Sequence, residues 1–153
     1  MKNRIILSVV FAALFFCSAC SGPKTEVLVI GGSASGVAAG IQSARLGAKT
    51  IILEEHLWLG GMLTSAGVSA VDGNYRMPAG IFGEFRDSLV AHYGSLGALA
   101  TGWVSNVLFE PSVGARIYKN MAAREPNLTV QYETKFNKKK KTATGWKVVA
   151  DHN

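Results

Sequence analysis

The sequence predicts an α/β fold with helices packed on a parallel sheet, and three observations predict it. Residues 27–30 (Val-Leu-Val-Ile) are a short, wholly apolar run, as expected for a strand buried on both faces. Gly31 and Gly32 then force a turn. Beyond them, Val37, Ala38, Ile41 and Ala44 recur at helical spacing until Gly47, a well-placed helix stop. Residues 49–53 form a second apolar run that ends in Glu54. The order is strand, glycine turn, helix, strand, with an acid at the tip of the second strand.

That order carries chemistry. A helix that begins straight after a strand points unpaired backbone N–H groups, and the positive end of its dipole, at whatever lies above the turn. Gly31 permits the sharp turn, Gly32 follows it, and a small residue at Ser33 lets a pyrophosphate approach the backbone. Gly36 allows helix and strand to pack closely, and Glu54 can accept hydrogen bonds from a ribose. Gly31 and Glu54 are 23 residues apart, close to the ~20 of such Rossmann-like βαβ units. Ser33 stands where the GxGxxG pattern has its second glycine, and a hydroxymethyl group there crowds the phosphate. The expectation is a dinucleotide-binding βαβ unit, and the unit alone does not separate NAD from FAD.

Residues 29–55 followed by Trp-Leu-Gly-Gly-Met-Leu-Thr-Ser-Ala-Gly at 58–67 resemble the start of FAD-dependent oxidoreductases with a glutathione-reductase type of FAD domain. More narrowly, the chain is similar to a bacterial group labelled FAD-dependent oxidoreductase, some of whose members carry the label xanthan lyase. The resemblance runs through residues 80–94 and 101–118 and covers nearly all of the chain beyond residue 25. It implies a three-layer, FAD-binding, Rossmann-like domain, a parallel sheet plus a β-meander. It also implies that Gly60, Gly61, Met62 and Thr64 run along the dinucleotide towards the flavin. In that family the FAD domain is discontinuous and returns after a substrate domain. No return motif occurs before Asn153, so residues 26–153 are expected to be the N-terminal part of such a domain.

The remaining elements follow in order. His56 has no paired histidine or carboxylate to mark it as a base, and is expected to be an exposed loop residue. Asp72-Gly-Asn74 signals a turn. Residues 81–93 are expected to be helical, with Ile81, Phe85, Leu89 and Tyr93 on one core-facing side and Gly94 as the stop. Residues 94–102 are rich in small side chains and are expected to form a mobile loop; Trp103 and Phe109 flank the short segment beyond it, and Trp103 is expected to pack in the core, the other reading being a wall of a flavin or substrate pocket. Residues 111–124 form the next helix: Pro111 suits its first turn, Val113, Ile117 and Met121 form its stripe, and Pro126 bars continuation. Leu128, Val130 and Tyr132 alternate with polar residues as in a strand, which the resemblance places beside the strand ending in Glu54. The run Lys138 to Lys141 is expected to be a solvated hairpin turn leading into a strand over residues 145–150.

The start of the chain reads as an export signal. Lys2 and Arg4 precede an apolar stretch over residues 5–16, twelve residues long and too short for a bilayer span of ~20. Ser18 and Ala19 before Cys20 resemble a bacterial lipobox, with Cys17 where an aliphatic residue is usual. Residues 1–19 are thus expected to be a lipoprotein-type signal, Cys20 the lipidated residue, and residues 20–25 a tether holding the domain at a bacterial envelope membrane. A plain cleaved signal and an uncleaved anchor are the other readings. Cys17 and Cys20 are the only cysteines, so no disulfide lies within the domain, and their place at the end of an export signal argues against a CxxC redox or metal site. Formal charge is +6, and without Lys2 and Arg4 there remain 14 basic and 10 acidic residues. The lysine run accounts for that surplus, which argues against a nucleic-acid face.

The expected activity is that of the FAD-binding portion of a flavin oxidoreductase acting on a small-molecule substrate. A nicotinamide-dependent dehydrogenase and a non-catalytic nucleotide-binding envelope lipoprotein are the alternatives. No residue is nominated as a catalytic acid or base, and no metal site is expected.

Overall fold

The computed structural model describes residues 22–152, so the export segment and Cys20 lie outside the described residues. Three short parallel strands form the central sheet: β1 (Val27–Ile30), β2 (Thr50–Leu53) and β3 (Leu128–Gln131), in the order β1-β2-β3. Val29 stands opposite Ile52, and Ile52 opposite Val130. β2 is the central strand and is buried along its whole length. β1 and β3 are the edge strands, and Ile30 at the tip of β1 is exposed.

Three helices cover the sheet and one another. The first, α1 (Ala34–Arg45), lies against β1 and β2, with Val37, Ile41 and Ala44 facing the core. Gly47, at φ +92°, ends it as expected. The second, α2 (Gly80–Tyr93), buries Phe85 and Leu89 and stops at Gly94, whose N–H reaches Val90 O at φ +91°. The third, α3 (Pro111–Ala123), has Pro111 in its first turn and buries Val113, Ile117, Tyr118 and Met121. Phe85 stacks on Tyr118 at 4.2 Å and meets Phe109 edge-on at 5.4 Å. These aromatic contacts join α2 to α3 in the single core.

Three expectations are corrected. Trp103 is not in the core: it is 96% exposed, on a loop tip beside the half-exposed Val104. Its neighbours explain this. Leu99, Val107 and Phe109, on either side of it in the chain, take the buried positions instead. Residues 94–102 are not a free loop, because a 3₁₀ turn (Gly97–Leu99) seats a fully buried Leu99 and Leu108 N bonds Leu99 O. The lysine run is not a turn either. It lies within β4 (Thr134–Thr142), paired antiparallel with β5 (Gly145–His152) as a two-stranded ribbon. Both faces of that ribbon are open to water over residues 137–147, so no alternation of apolar and charged residues is required there.

Candidate functional site

The glycine turn after β1 has the geometry its residues predict. Gly31 takes φ +90°, with its N–H on Leu53 O at 2.8 Å, a backbone state that L side chains rarely adopt. A Cβ on Gly36 would stand 2.0 Å from Gly31 O, so only glycine lets the helix sit this close to the turn. Ser33 takes φ −60° and ψ 172°, an ordinary extended conformation, which is why a serine is tolerated there. Its Oγ accepts the Gly36 amide at 3.3 Å and so serves as the N-cap of α1. The first turn of α1 carries no acidic side chain. The amides of Ala34 and Ser35 are therefore not capped by an acid of the helix itself and are left for a ligand above the turn.

Glu54 is buried at the tip of β2. One carboxylate oxygen accepts the Gly32 amide at 2.6 Å and the other accepts the His56 amide at 2.8 Å. An ionised carboxylate offers about four acceptor positions, so these two bonds leave others for a ligand hydroxyl. His56 itself is exposed, as its lack of a partner in the sequence implied.

The second glycine loop folds onto the first. Gly60 N bonds Gly32 O at 2.7 Å, and Ser33 and Gly60 form a parallel bridge. Gly60 (φ +111°) and Gly61 (φ +54°) both sit in left-handed backbone. A Cβ on Gly61 would come within 3.1 Å of Ser33 Cα, so the pair is what lets the two loops touch. Met62 projects into solvent, 66% exposed. Thr64 turns the other way: it is buried, with its hydroxyl donating to Leu59 O at 2.7 Å. Gly31, Gly32, Ser33, Gly36, Glu54, Gly60, Gly61 and Met62 thus come together at the C-terminal end of β1 and β2, while the Thr64 side chain braces the second loop from beneath.

Neighbours of Glu54 that spacing did not single out extend this end of the sheet. A cavity of about 510 Å³ opens past β3, lined by Gln131, Tyr132, Glu133, Thr134, Ala150 and His152. The glycine loops do not line it, but Thr134 N bonds Glu54 O at 2.9 Å, so the cavity wall hangs from the same residue. Burial, and then the Glu54 charge, push the Tyr132 hydroxyl above its ordinary pKa. Glu133 holds φ +51°, a left-handed backbone state in a residue that is not glycine. The alternation at 128–132 locates Tyr132 in the sequence, but nothing in residue type marks Glu133. Among the described residues no group of histidine, cysteine and acidic side chains could hold a metal ion.

The profile of FAD dependent oxidoreductases matches residues 26–152. The chain belongs to that family. Among solved structures it is similar to THI4 of Thermovibrio ammonificans, at 17% identity and a TM-score of 0.50, over 97% of this chain and 55% of that one. It is also similar to the thioredoxin reductase of T. acidophilum, at 20% identity and a TM-score of 0.51, over 83% of this chain and 31% of that one. At these identities the likeness is one of fold. The chain spans about half the length of the first of these proteins and a third of the second. No curated protein matches it.

FAD is the cofactor that family membership assigns, and the residues fit it. A Cβ on Gly31 would meet nothing within 4 Å, so the space beside the turn is open to a pyrophosphate. The amides of α1 suit its charge, and Glu54 has acceptor capacity for a ribose.

Proposed function

We propose that this chain is the FAD-binding portion of an exported, lipid-anchored flavin oxidoreductase acting on a small organic substrate. The observation that carries the reading is the seating of the Gly60–Gly61 loop on the Gly31–Ser33 turn, with Glu54 beside both. A βαβ unit by itself would serve NAD or FAD alike. The second loop prolongs the cradle along the backbone, as a cofactor extended past its first nucleotide requires.

Within this reading the amides of Ala34 and Ser35 hold the pyrophosphate, and Gly31 and Gly32, without side chains, let it approach. Glu54 holds the adenosine ribose, and Gly61 and Met62 lead towards the flavin. The flavin supplies the redox chemistry by taking an electron pair from the substrate. The protein's own part is to bind, orient and dry that group. Family and fold do not name the substrate.

Two measurements test the two halves of the proposal. The protein expressed from Ser21 to the end of its reading frame should purify with about one FAD per chain and bleach on anaerobic addition of its electron donor. A colourless protein that takes up NAD but no FAD would overturn the flavin reading. For export, fatty-acid labelling of cells should mark the wild-type chain and not Cys20→Ser, because stable anchoring needs more than one acyl chain on that residue. Equal labelling, or none in either, would remove the lipoprotein assignment.

A further inference from the structure

The charge of this protein is collected on one projecting element. The β4–β5 ribbon carries Lys135, Lys138 to Lys141 and Lys147 against a single acid, Asp151. The rest of the described chain holds eight basic and nine acidic residues and is close to neutral. Asp151 sits at the base of the ribbon, opposite Lys135, and accepts the Asn137 side-chain amide. The outer part therefore has five lysines and no acid.

None of those lysines is neutralised within the fold. The ion pairs among the described residues are all made by arginines: Arg45 with Glu84 and Glu125, and Arg86 with Asp87. Residues 137–147 are all exposed. Nine residues of β4 at about 3.3 Å each make an arm roughly 26–30 Å long, fastened at Thr134 and Phe136 and free beyond. Pairing register puts Lys138, Lys140 and Lys147 on one face, and Lys139, Lys141 and Trp146 on the other. Trp146 stands next to the turn, 59% exposed, with the Lys139 ammonium 5.1 Å from its ring centre. Like charges side by side on the ribbon repel one another and weaken its pairing. An anionic partner would relieve that repulsion.

We propose that the β4–β5 ribbon docks the domain on an anionic lipid surface, its lysines on headgroup phosphates and Trp146 at the headgroup level. A tryptophan beside a turn at the end of a lysine-rich arm suits a planar interface, where aromatic rings sit at headgroup depth and basic side chains add attraction one by one. The choice of lipid over another polyanion rests on the export reading above, but the docking is measured without the acyl anchor, so the two can fail separately.

The test uses the FAD-loaded protein expressed from Ser21 through its reading frame, without signal or Cys20. It should co-sediment at low salt with vesicles of phosphatidylglycerol and phosphatidylcholine, and not with phosphatidylcholine alone. Changing Lys138, Lys139, Lys140 and Lys141 together to Gln should weaken binding by about tenfold or more, whereas changing them to Arg should preserve it. Trp146→Ala should cost a further, roughly threefold, loss. Flavin content, unchanged in all three variants, shows that the fold is intact. Equal binding to both vesicle types, or no difference between the Gln and Arg variants, would overturn the proposal. So would tighter binding to a DNA duplex than to anionic vesicles, which would make the arm a general polyanion contact.

Discussion

At position 54 the carboxylate accepts the Gly32 and His56 amides and still has acceptor positions free. Glu54→Gln should therefore weaken FAD binding in two ways, by loss of a charged acceptor for the ribose and by slackening the turn that Gly32 belongs to. A hydrogen bond to a charged group contributes about 1.5–3 kcal/mol, so the expected loss is about tenfold to a hundredfold in affinity. Glu55→Gln, one residue on and exposed, should leave affinity nearly unchanged. Titration with FAD distinguishes them, and equal effects would remove the ribose assignment. Gly36→Ala is the sharper steric probe, since its Cβ would meet Gly31 O at 2.0 Å. It should cost about 1–3 kcal/mol of stability, read as a lower urea midpoint together with loss of bound flavin.

Helix packing places two opposed pH responses on neighbouring elements. Arg45, at the end of α1, holds Glu84 of α2 through two bonds at 2.6 and 2.8 Å and Glu125 after α3 at 2.8 Å, and so ties three helices at one corner. The Arg45 guanidinium holds the Glu84 carboxyl below its ordinary pKa. That contribution is full above the ordinary glutamate range and fades as pH falls through the lowered value. Because Glu84 is 45% exposed, Arg45→Met should cost no more than about 1 kcal/mol near neutrality, with a smaller difference from wild type at pH ~3. Tyr118 behaves oppositely. Burial pushes its hydroxyl up to about 12, whereas an unfolded tyrosine ionises near pH ~10. Stability should therefore be full below pH ~10 and fall as pH rises towards ~12. Tyr118→Phe should reduce that alkaline decline in urea titrations, leaving the share of Tyr132, while keeping the stack on Phe85.

At the scale of the whole molecule, the sheet of the described residues has both its edges, β1 and β3, unpaired. β1 pairs with β2 alone among the described residues, and Ile30 at its tip is 52% exposed. An unpaired parallel edge with apolar side chains invites association. Residues 21–153 expressed by themselves should aggregate at modest concentration, hold FAD weakly and show no flavin reduction by candidate donors. A soluble monomer of that piece keeping stoichiometric FAD through gel filtration would make it a self-sufficient flavin-binding module.

Local rules sufficed for the βαβ unit because each of its choices is made by a residue and its near neighbours. The apolar runs specify β1 and β2, Gly31 the turn, Gly47 and Gly94 the helix ends, Pro111 a helix start. The sheet register and the acid at its tip follow from those. What the sequence could not decide is where two distant segments meet. The touching of Gly60 and Gly32 depends on two loops far apart in the chain closing on one another. Trp103 and the lysine run were misplaced for the same reason. A side chain's burial depends on what else fills the space, and a strand in water needs no alternation, so neither was written in residue type alone; the packing of Leu99, Val107 and Phe109, and the pairing of β4 with β5, decided them.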